Sequence, residues 1–173
     1  MLFRSRAFTI AIVDTGIALE KALGNLELAI AKSGATISHS SLPTLPVNEA
    51  ALIQVFQNLI GNAIKYRKMN ETPRIHITAE HLPTREWRFS VQDNGIGIAP
   101  EHQSLIFKIF KRLHGNQYSG AGIGLAICVK IVEHFGGQLW VDSAVGWGST
   151  FYFTIPDGKG AEWNIAARMN ARS

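Results

Sequence analysis

Two neighbouring stretches alternate apolar and polar residues, and this alternation constrains the fold more than any other feature of the chain. The stretches read RIHITAEHL over residues 74–82 and WRFSVQDN over residues 87–94, and EHLPTRE supplies a turn between them. A period of two is typical of strands that bury one face. The two stretches are therefore predicted to be adjacent strands of one sheet.

Helical periodicity marks three other segments. IALEKALGNLELAIAKS, residues 17–33, carries leucines and an isoleucine at three- and four-residue spacing, and Gly34 is placed to end this helix. Asn48 is a plausible N-cap for a second helix that runs to about Lys68. The third helix is predicted over GIGLAICVKIVEHF, residues 122–135, closed by the glycine pair that follows it.

The remaining segments complete a mixed order of helices and strands. ATISHSSLPTLP, residues 35–46, predicts a short strand and a proline-rich connection, whereas residues 94–120 predict a long loop with one helical turn. QLWVDS and STFYFTIP predict a closing pair of strands around the turn AVGWG. This order favours an α/β fold, a two-layer sandwich in which a mixed sheet of about five strands carries three helices on one face.

Composition narrows the class of protein. The 173 residues suit one domain with short flanking segments, and 46% hydrophobic with 17% charged residues describes a soluble globular chain. Seventeen Lys and Arg against thirteen Asp and Glu form no dense basic run, so no nucleic-acid partner is predicted. Cys128 is the only cysteine, which excludes a disulfide framework and favours a cytoplasmic location. The apolar stretch that ends at Asp14 is far shorter than the roughly 20 residues of a membrane helix.

A polar row interrupts the predicted second helix. Its members are spaced four residues apart: Gln54, Asn58, Asn62 and Tyr66. An amide oxygen is a suitable ligand for Mg²⁺, and Lys65 beside the row could neutralise phosphate charge. The tyrosine ring could stack on a flat base. The alternative interpretation is a solvated helix face with two incidental asparagines.

The segment VQDNGIGIAP, residues 91–100, places Asp93 at the end of a predicted strand. A carboxylate there can accept a hydrogen bond from the exocyclic amine of adenine. Guanine presents a carbonyl instead and leaves both groups unpaired, which costs about 1–3 kcal/mol. Gly95 and Gly97 would let the backbone approach a ligand closely, although a plain turn also explains them.

Two further glycine segments follow. GAGIGLAI places Gly120, Gly122 and Gly124 directly before a helix, where free backbone amides and the helix dipole favour an anion. The spacing matches neither the Rossmann fingerprint nor the Walker pattern. VGWGSTFYF contains Gly146 and Gly148, and taken alone these two glycines favour a plain hairpin turn.

In this order the four segments resemble the catalytic and ATP-binding domain of sensor histidine kinases over residues 12–156. FKIFKRLH followed by GIGLAICVKIVEHFGG is most similar to the phytochrome-like branch. The resemblance implies the Bergerat fold, shared with gyrase, heat-shock chaperone and mismatch-repair ATPases, with ATP and Mg²⁺ as cofactors. It also implies an ATP-dependent protein-histidine kinase whose partners are its own dimerisation and phosphotransfer domain, absent from this chain, and a response regulator receiver domain. A homodimer is expected only in the full-length protein.

The resemblance also implies roles for individual residues. Asn62 matches the magnesium ligand, and Asn58 is its partner in the same segment. Lys65 matches a phosphate-contacting lysine, and Tyr66 the aromatic residue that stacks on adenine. Asp93 matches the aspartate that reads adenine.

Residues 99–119 match a lid over the nucleotide. Phe107 and Phe110 match the aromatic residues that anchor this lid, and Arg112 matches a lid arginine that reaches the phosphates. The implied catalytic residues are Asn58, Lys65 and Arg112. The implied nucleotide site also includes the following residues: Gly95, Gly97, Gly120, Gly122, Gly124 and Leu125. Gly146 and Gly148 match a last glycine segment that supports the pocket.

Other interpretations depend on particular residues. Hydrolytic relatives carry a water-activating glutamate at the position of Asn58, and an amide cannot take a proton, which favours phosphoryl transfer over hydrolysis. Ala121 replaces the usual hydroxyl residue of the family, and the lid segment HGNQYSG is short. These departures motivate the alternative of a non-catalytic, nucleotide-binding regulatory module.

No histidine of the chain has the context of a phosphoacceptor, so each is expected to be structural: His39, His76, His81, His102, His114 and His134. Residues 1–11 are expected to be the end of a dimerisation helix or residues foreign to the native protein. Residues 157–173 are expected to form a C-terminal tail.

Overall fold

A computed structural model of the chain describes residues 8–108 and 122–159. In these ranges the strands are β1 Ala11–Asp14, β2 Thr36–His39, β3 Thr44–Val47, β4 Arg74–His81, β5 Glu86–Asp93, β6 Leu139–Ala144 and β7 Gly148–Pro156. The α-helices there are α1 Thr15–Asn25, α2 Glu27–Ser33, α3 Glu49–Lys65 and α4 Gly124–His134. Two short 3₁₀ helices cover Pro100–His102 and Leu105–Phe107. Within the same ranges, none of the helices combines the length and apolar character that a bilayer span requires.

A mixed five-stranded sheet forms one layer of the domain. Its strand order is β2-β4-β5-β7-β6, in which β2 and β4 run parallel and the other pairs run antiparallel. The predicted hairpin is confirmed, with Ile77 of β4 opposite Val91 of β5. Val91 in turn lies opposite Phe151 of β7. The closing strand pair around residues 144–148 is also confirmed.

The core lies between one face of this sheet and the helices. Phe56 of α3 contacts Phe89 of β5 and Phe153 of β7 through ring centroids 6.2 and 5.9 Å apart. The two sheet residues stack on each other at 4.8 Å, and all three side chains are fully buried. Burying a side chain of this size contributes roughly 1.5–3 kcal/mol. On the other sheet face, Arg88 lies over the half-exposed ring of Tyr152, so the sandwich has two layers.

The helix predicted over residues 17–33 is wrong as a single element, because the structure contains two helices there. Helix α1 is capped by Asp14, whose carboxylate accepts hydrogen bonds from the amides of the first turn, and it ends at Asn25 with Leu26 as its C-cap. Gly24 and Asn25 are poor helix formers just before this break. Helix α2 then ends at Gly34 in the left-handed conformation, as predicted. The prediction of three helices therefore becomes four in the described ranges.

The proline-rich connection contains a strand that the sequence did not indicate. Strand β3 pairs antiparallel with β1, and Ile12 lies opposite Pro46 in this separate two-stranded sheet. Leu45 and Val47 flank the proline and are buried in the core. A proline normally argues against a strand because it lacks an amide donor, but a strand with one neighbour tolerates it.

Candidate functional site

The end of helix α3 meets the loop that follows strand β5. The Tyr66 carbonyl accepts a hydrogen bond from the Ile96 amide at 3.0 Å. A Cβ atom on Gly95 would lie 2.6 Å from the same carbonyl oxygen. Glycine is therefore required at this position because the helix end and the loop cross too closely for a side chain.

The β6–β7 hairpin meets the same loop from the other side. The Gly146 amide donates to the Ile96 carbonyl at 2.8 Å. Gly97 has a positive φ of 73°, and a Cβ there would lie 2.0 Å from the Ala144 carbonyl oxygen. Gly95 and Gly97 were predicted to let the backbone approach a ligand closely. In the structure both glycines lie against backbone carbonyl groups of the protein itself.

Asp93 is the last residue of β5, directly before this loop, and it is partly buried. Its Oδ1 accepts hydrogen bonds from the amides of Gly95 at 2.8 Å and Ser149 at 3.2 Å. Both bonds fall on one oxygen, and no described residue donates to Oδ2. Burial raises the pKa of the carboxyl above its usual value of 3.8, and the two amide bonds offset part of that rise.

Helix α3 also contacts the start of helix α4 through its polar row. The Asn58 side chain donates from Nδ2 to the Gly124 carbonyl at 3.3 Å. A Cβ on Gly124 would lie 3.4 Å from Oδ1 of the same amide, so the two helices approach closely. Burial raises the pKa of the nearby Cys128 thiol to about 12, and a hydrogen bond from the Asn58 side chain offsets only part of this.

The first turn of α4 carries no side-chain cap. Ile123 occupies the N-cap position and cannot accept a hydrogen bond through its side chain, and Gly122 before it has a positive φ of 74°. The helix therefore begins with backbone amides that no side chain caps, which is the arrangement that favours an anion.

The lower part of the polar row is half-buried at the end of α3. Asn62, Lys65 and Tyr66 share this position, and the lysine Nζ lies 5.2 Å from the centre of the tyrosine ring. Gln54, at the other end of the row, is exposed. In the described ranges, no three His, Cys, Asp or Glu side chains group as a metal cage. A cation near Asn62 would therefore take most of its ligands from water and an anion, as Mg²⁺ commonly does.

The structure distributes the other predicted site residues as follows. Phe107 packs edge-on against Phe151 with ring centroids 6.3 Å apart, and Leu125 packs against the hydrophobic core. Phe110, Arg112 and Gly120 lie outside the residues that the structure describes.

Four of the described histidines have partners, and one of them is His39, whose ring lies 2.8 Å from the adjacent Ser40 carbonyl. His76 shares a hydrogen bond with Ser38 across the β2–β4 pair, and His81 lies 3.2 Å from the Asp157 carboxylate. The His134 ring packs against a phenylalanine near the start of the described chain, at 4.2 Å between centroids. These contacts agree with the expectation that the histidines are structural.

Sequence reasoning missed four residues of this region: Gln103, Cys128, Ser143 and Ser149. Ser149 directly follows Gly148 in GSTF, and its position beside a glycine was the one available signal for it. A lone glutamine in a loop and a lone cysteine in an apolar helix carry no comparable signal.

Residues 47–159 match the family described as "Histidine kinase-, DNA gyrase B-, and HSP90-like ATPase". The chain belongs to this family. The matched range includes all of α3 and extends beyond the end of β7, so it contains the contacts described above among α3, the loop after β5, the β6–β7 hairpin and α4.

One relative of this ATPase-family domain is cyanobacterial phytochrome A of Nostoc sp. (strain PCC 7120). The two are 53% identical over 155 residues, which cover 89% of this chain and 20% of the phytochrome. The chain therefore spans about a fifth of the length of that relative.

Solved structures share the fold. Full-length ShkA in complex with AMPPNP has a TM-score of 0.75 and 32% identity, covering 86% of this chain and 31% of that one. The nucleotide-free catalytic domain of histidine kinase ThkA has a TM-score of 0.73 and 27% identity, covering 86% of this chain and 95% of that one. ThkA has also been solved in complex with response regulator protein TrrA.

Proposed function

We propose that this domain binds ATP with Mg²⁺ and, within a longer protein, transfers the γ-phosphoryl group to a histidine of a dimerisation domain. The meeting of α3, the loop after β5, the β6–β7 hairpin and the start of α4 carries the proposal. These are the four segments in which the sequence concentrates amides, glycines and a strand-end carboxylate. The AMPPNP complex of ShkA supports the choice of nucleotide.

Asp93 is proposed to recognise the base. Its Oδ1 is held by two backbone amides, which fix the carboxylate and leave Oδ2 for the exocyclic amine of adenine. A charged acceptor in a partly buried position makes a stronger hydrogen bond than an exposed one. Tyr66, half-buried beside this loop, is proposed to stack on the purine ring.

The phosphates are proposed to lie between the C-terminal end of α3 and the start of α4. Lys65 and the first amides of α4 supply positive charge there, and Asn62 fits as an amide ligand of Mg²⁺. A bound magnesium ion would neutralise charge on the phosphate oxygens. The proposed role of Arg112, by resemblance, is to contact the same phosphates.

Transfer is proposed rather than hydrolysis because of Asn58. Its amide cannot accept a proton from water, and its Nδ2 is already bonded to the Gly124 carbonyl. Phosphoryl transfer by positioning and charge neutralisation needs no such base in the domain. We assign Asn58 the role of fixing α4 against α3.

The proposed macromolecular partners are the histidine-bearing dimerisation domain and a response regulator receiver domain. The ThkA–TrrA complex supports the second of these. A cytoplasmic location is also proposed, because the single cysteine, Cys128, is buried and forms no disulfide within the chain.

The test mixes this chain with a separately produced dimerisation domain of a related kinase and γ-labelled Mg·ATP. We expect label on the acceptor domain, none when its histidine is replaced by alanine, and much less with Lys65→Ala. Calorimetry on the same samples measures nucleotide binding. Tight ATP binding without transfer to any histidine domain would favour the regulatory module, and hydrolysis without an acceptor would favour an ATPase. A flat calorimetric trace at millimolar Mg·ATP would overturn the proposal.

A further inference from the structure

Gln103 connects two parts of the domain that are far apart in sequence. It follows the 3₁₀ helix Pro100–His102, and its side-chain nitrogen donates to the carbonyls of Ile98 at 3.1 Å and Ser143 at 2.9 Å. An amide nitrogen carries two hydrogens, so both are used. The segment after the β5 loop is thereby joined to the end of strand β6.

Ser143 extends this connection through its hydroxyl group. The hydroxyl donates to the Gly148 carbonyl at 2.9 Å and accepts from the Ile98 amide at 2.8 Å. Its oxygen also lies 2.7 Å from the hydroxyl of Ser149. A hydroxyl has one hydrogen and two lone pairs, so the Ser149 hydroxyl must donate in this last bond. Every hydrogen-bonding position of the Ser143 hydroxyl is then occupied.

Ser149 completes the connection to the base-reading carboxylate. Its side chain is bonded to Ser143, and its backbone amide donates to Oδ1 of Asp93 at 3.2 Å. Ser149 is only 7% exposed, so water competes weakly for these bonds. One continuous set of hydrogen bonds therefore runs from Gln103 through the two serines to Asp93.

We infer that Gln103 and Ser143 are positioning residues that set the orientation of the Asp93 carboxylate for purine recognition. The inference rests on the proposed function, because it concerns the same nucleotide site. Ser149 can direct its amide at Oδ1 only while the hairpin end and the β5 loop keep their relative position. Gln103 and Ser143 add side-chain bonds to the restraint that the backbone bond between Gly146 and Ile96 supplies, although neither is proposed to touch the nucleotide.

The test uses four variants of the whole chain. Ser143→Ala removes the hydroxyl and leaves three partners unpaired, whereas Ser143→Thr retains it. Gln103→Glu keeps the shape of the side chain but directs a carboxylate at two carbonyl oxygens. Gln138→Glu makes the same charge change at an exposed position between α4 and β6 and serves as the matched control.

The measurements are the dissociation constants for Mg·ATP and Mg·GTP by calorimetry and the pKa of Asp93 by carboxyl-carbon NMR. Ser143→Ala and Gln103→Glu each lose hydrogen bonds that hold the Asp93 carboxylate in place. Both variants should therefore bind ATP about tenfold more weakly, and their preference for ATP over GTP should fall by a similar factor. The Asp93 pKa should rise in Ser143→Ala because its bond from the Ser149 amide weakens. Ser143→Thr and Gln138→Glu should behave as wild type.

Equal weakening of ATP and GTP binding, with an unchanged Asp93 pKa, would mean a merely structural role and would overturn the inference alone. If Ser143→Ala does not fold, Gln103→Glu decides between the outcomes through the ATP:GTP ratio. A wild-type chain that binds neither nucleotide would overturn the proposed function, and this inference with it.

Discussion

Replacing Asp93 by asparagine changes one atom at the proposed base site and keeps the size of the side chain. The amide oxygen of asparagine can still accept from the backbone amides of Gly95 and Ser149, which fixes the side chain in its present orientation. The NH₂ group then replaces Oδ2, so a donor faces the adenine amine where an acceptor stood.

The expected loss follows from this exchange. A hydrogen bond to a charged group contributes about 1.5–3 kcal/mol, which corresponds to a roughly 10- to 150-fold increase in the Kd for Mg·ATP. The same NH₂ group can donate to the carbonyl of guanine, so the Kd for Mg·GTP should stay constant or fall. The preference for ATP over GTP should therefore fall by at least as large a factor as the ATP affinity itself.

Stability serves as the internal check on Asp93→Asn. Burial raises the pKa of Asp93, so the folded state holds the carboxyl proton more tightly than the unfolded state does. The free energy of unfolding therefore falls as pH rises from 3.8 through the pKa of the folded state. Above that range the charged carboxylate destabilises the fold, and asparagine removes this effect. The variant should unfold at the same or a higher denaturant concentration than wild type at pH 7.

Calorimetry with both nucleotides and urea unfolding at pH 5 and pH 7 test these expectations together. Asp142→Asn is the matched control, because Asp142 is an exposed residue of β6, which is separated from the strand of Asp93 by β7. Unchanged ATP and GTP affinities in a folded Asp93→Asn protein would refute base recognition by this carboxylate.

Four further predictions concern other positions of the domain. Gly97→Ala should lower the free energy of unfolding by at least about 2 kcal/mol in urea titrations, since its φ is 73° and its Cβ would lie 2.0 Å from a carbonyl oxygen. Gly24→Ala, where a Cβ meets nothing within 4 Å, should raise it by about 0.5–1 kcal/mol. Cys128 should resist iodoacetamide at pH 8 and react only as urea unfolds the chain, because its pKa is about 12 and its side chain is fully buried. Asn62→Ala should weaken binding of Mg·ATP in calorimetry but leave binding in EDTA unchanged.

Each of these has a clear contrary result. A Gly97→Ala variant as stable as wild type would show that the backbone at Gly97 adapts, and a destabilised Gly24→Ala variant would contradict the open space at that position. Alkylation of the native thiol at the rate of a free one would contradict its burial. Equal losses with and without magnesium would remove Asn62 from the metal site.

The sequence predicted most of the fold because its periodic segments are long. The β4–β5 hairpin alternates over eight residues on each strand, and α3 carries a wide apolar face, so both elements were predicted almost to their ends. The β1–β3 pair was missed because four-residue strands show too little alternation and Pro46 resembles a breaker. The break at Leu26 was missed because the apolar spacing continues across it while the backbone does not.

Some residues of the candidate site were predicted from the sequence and others were not. Residue type indicated Asp93, Asn58 and the glycines, since few side chains suit those chemical roles. The reason for the glycines was not predicted, because Gly95 and Gly97 are required by carbonyl groups far away in sequence. Gln103 carried no signal at all, since its partners are backbone atoms and any segment of the chain can supply those.

The bond between the Tyr66 carbonyl and the Ile96 amide has a mechanical consequence. It joins the last turn of α3 to the loop that follows Asp93, so the two residues proposed to contact the purine, Tyr66 and Asp93, are connected by a backbone hydrogen bond. The start of α4 is joined to α3 by a side-chain bond of 3.3 Å from Asn58. A displacement of α4 away from α3 would therefore act on the proposed triphosphate site without breaking the backbone bond beside the proposed purine site.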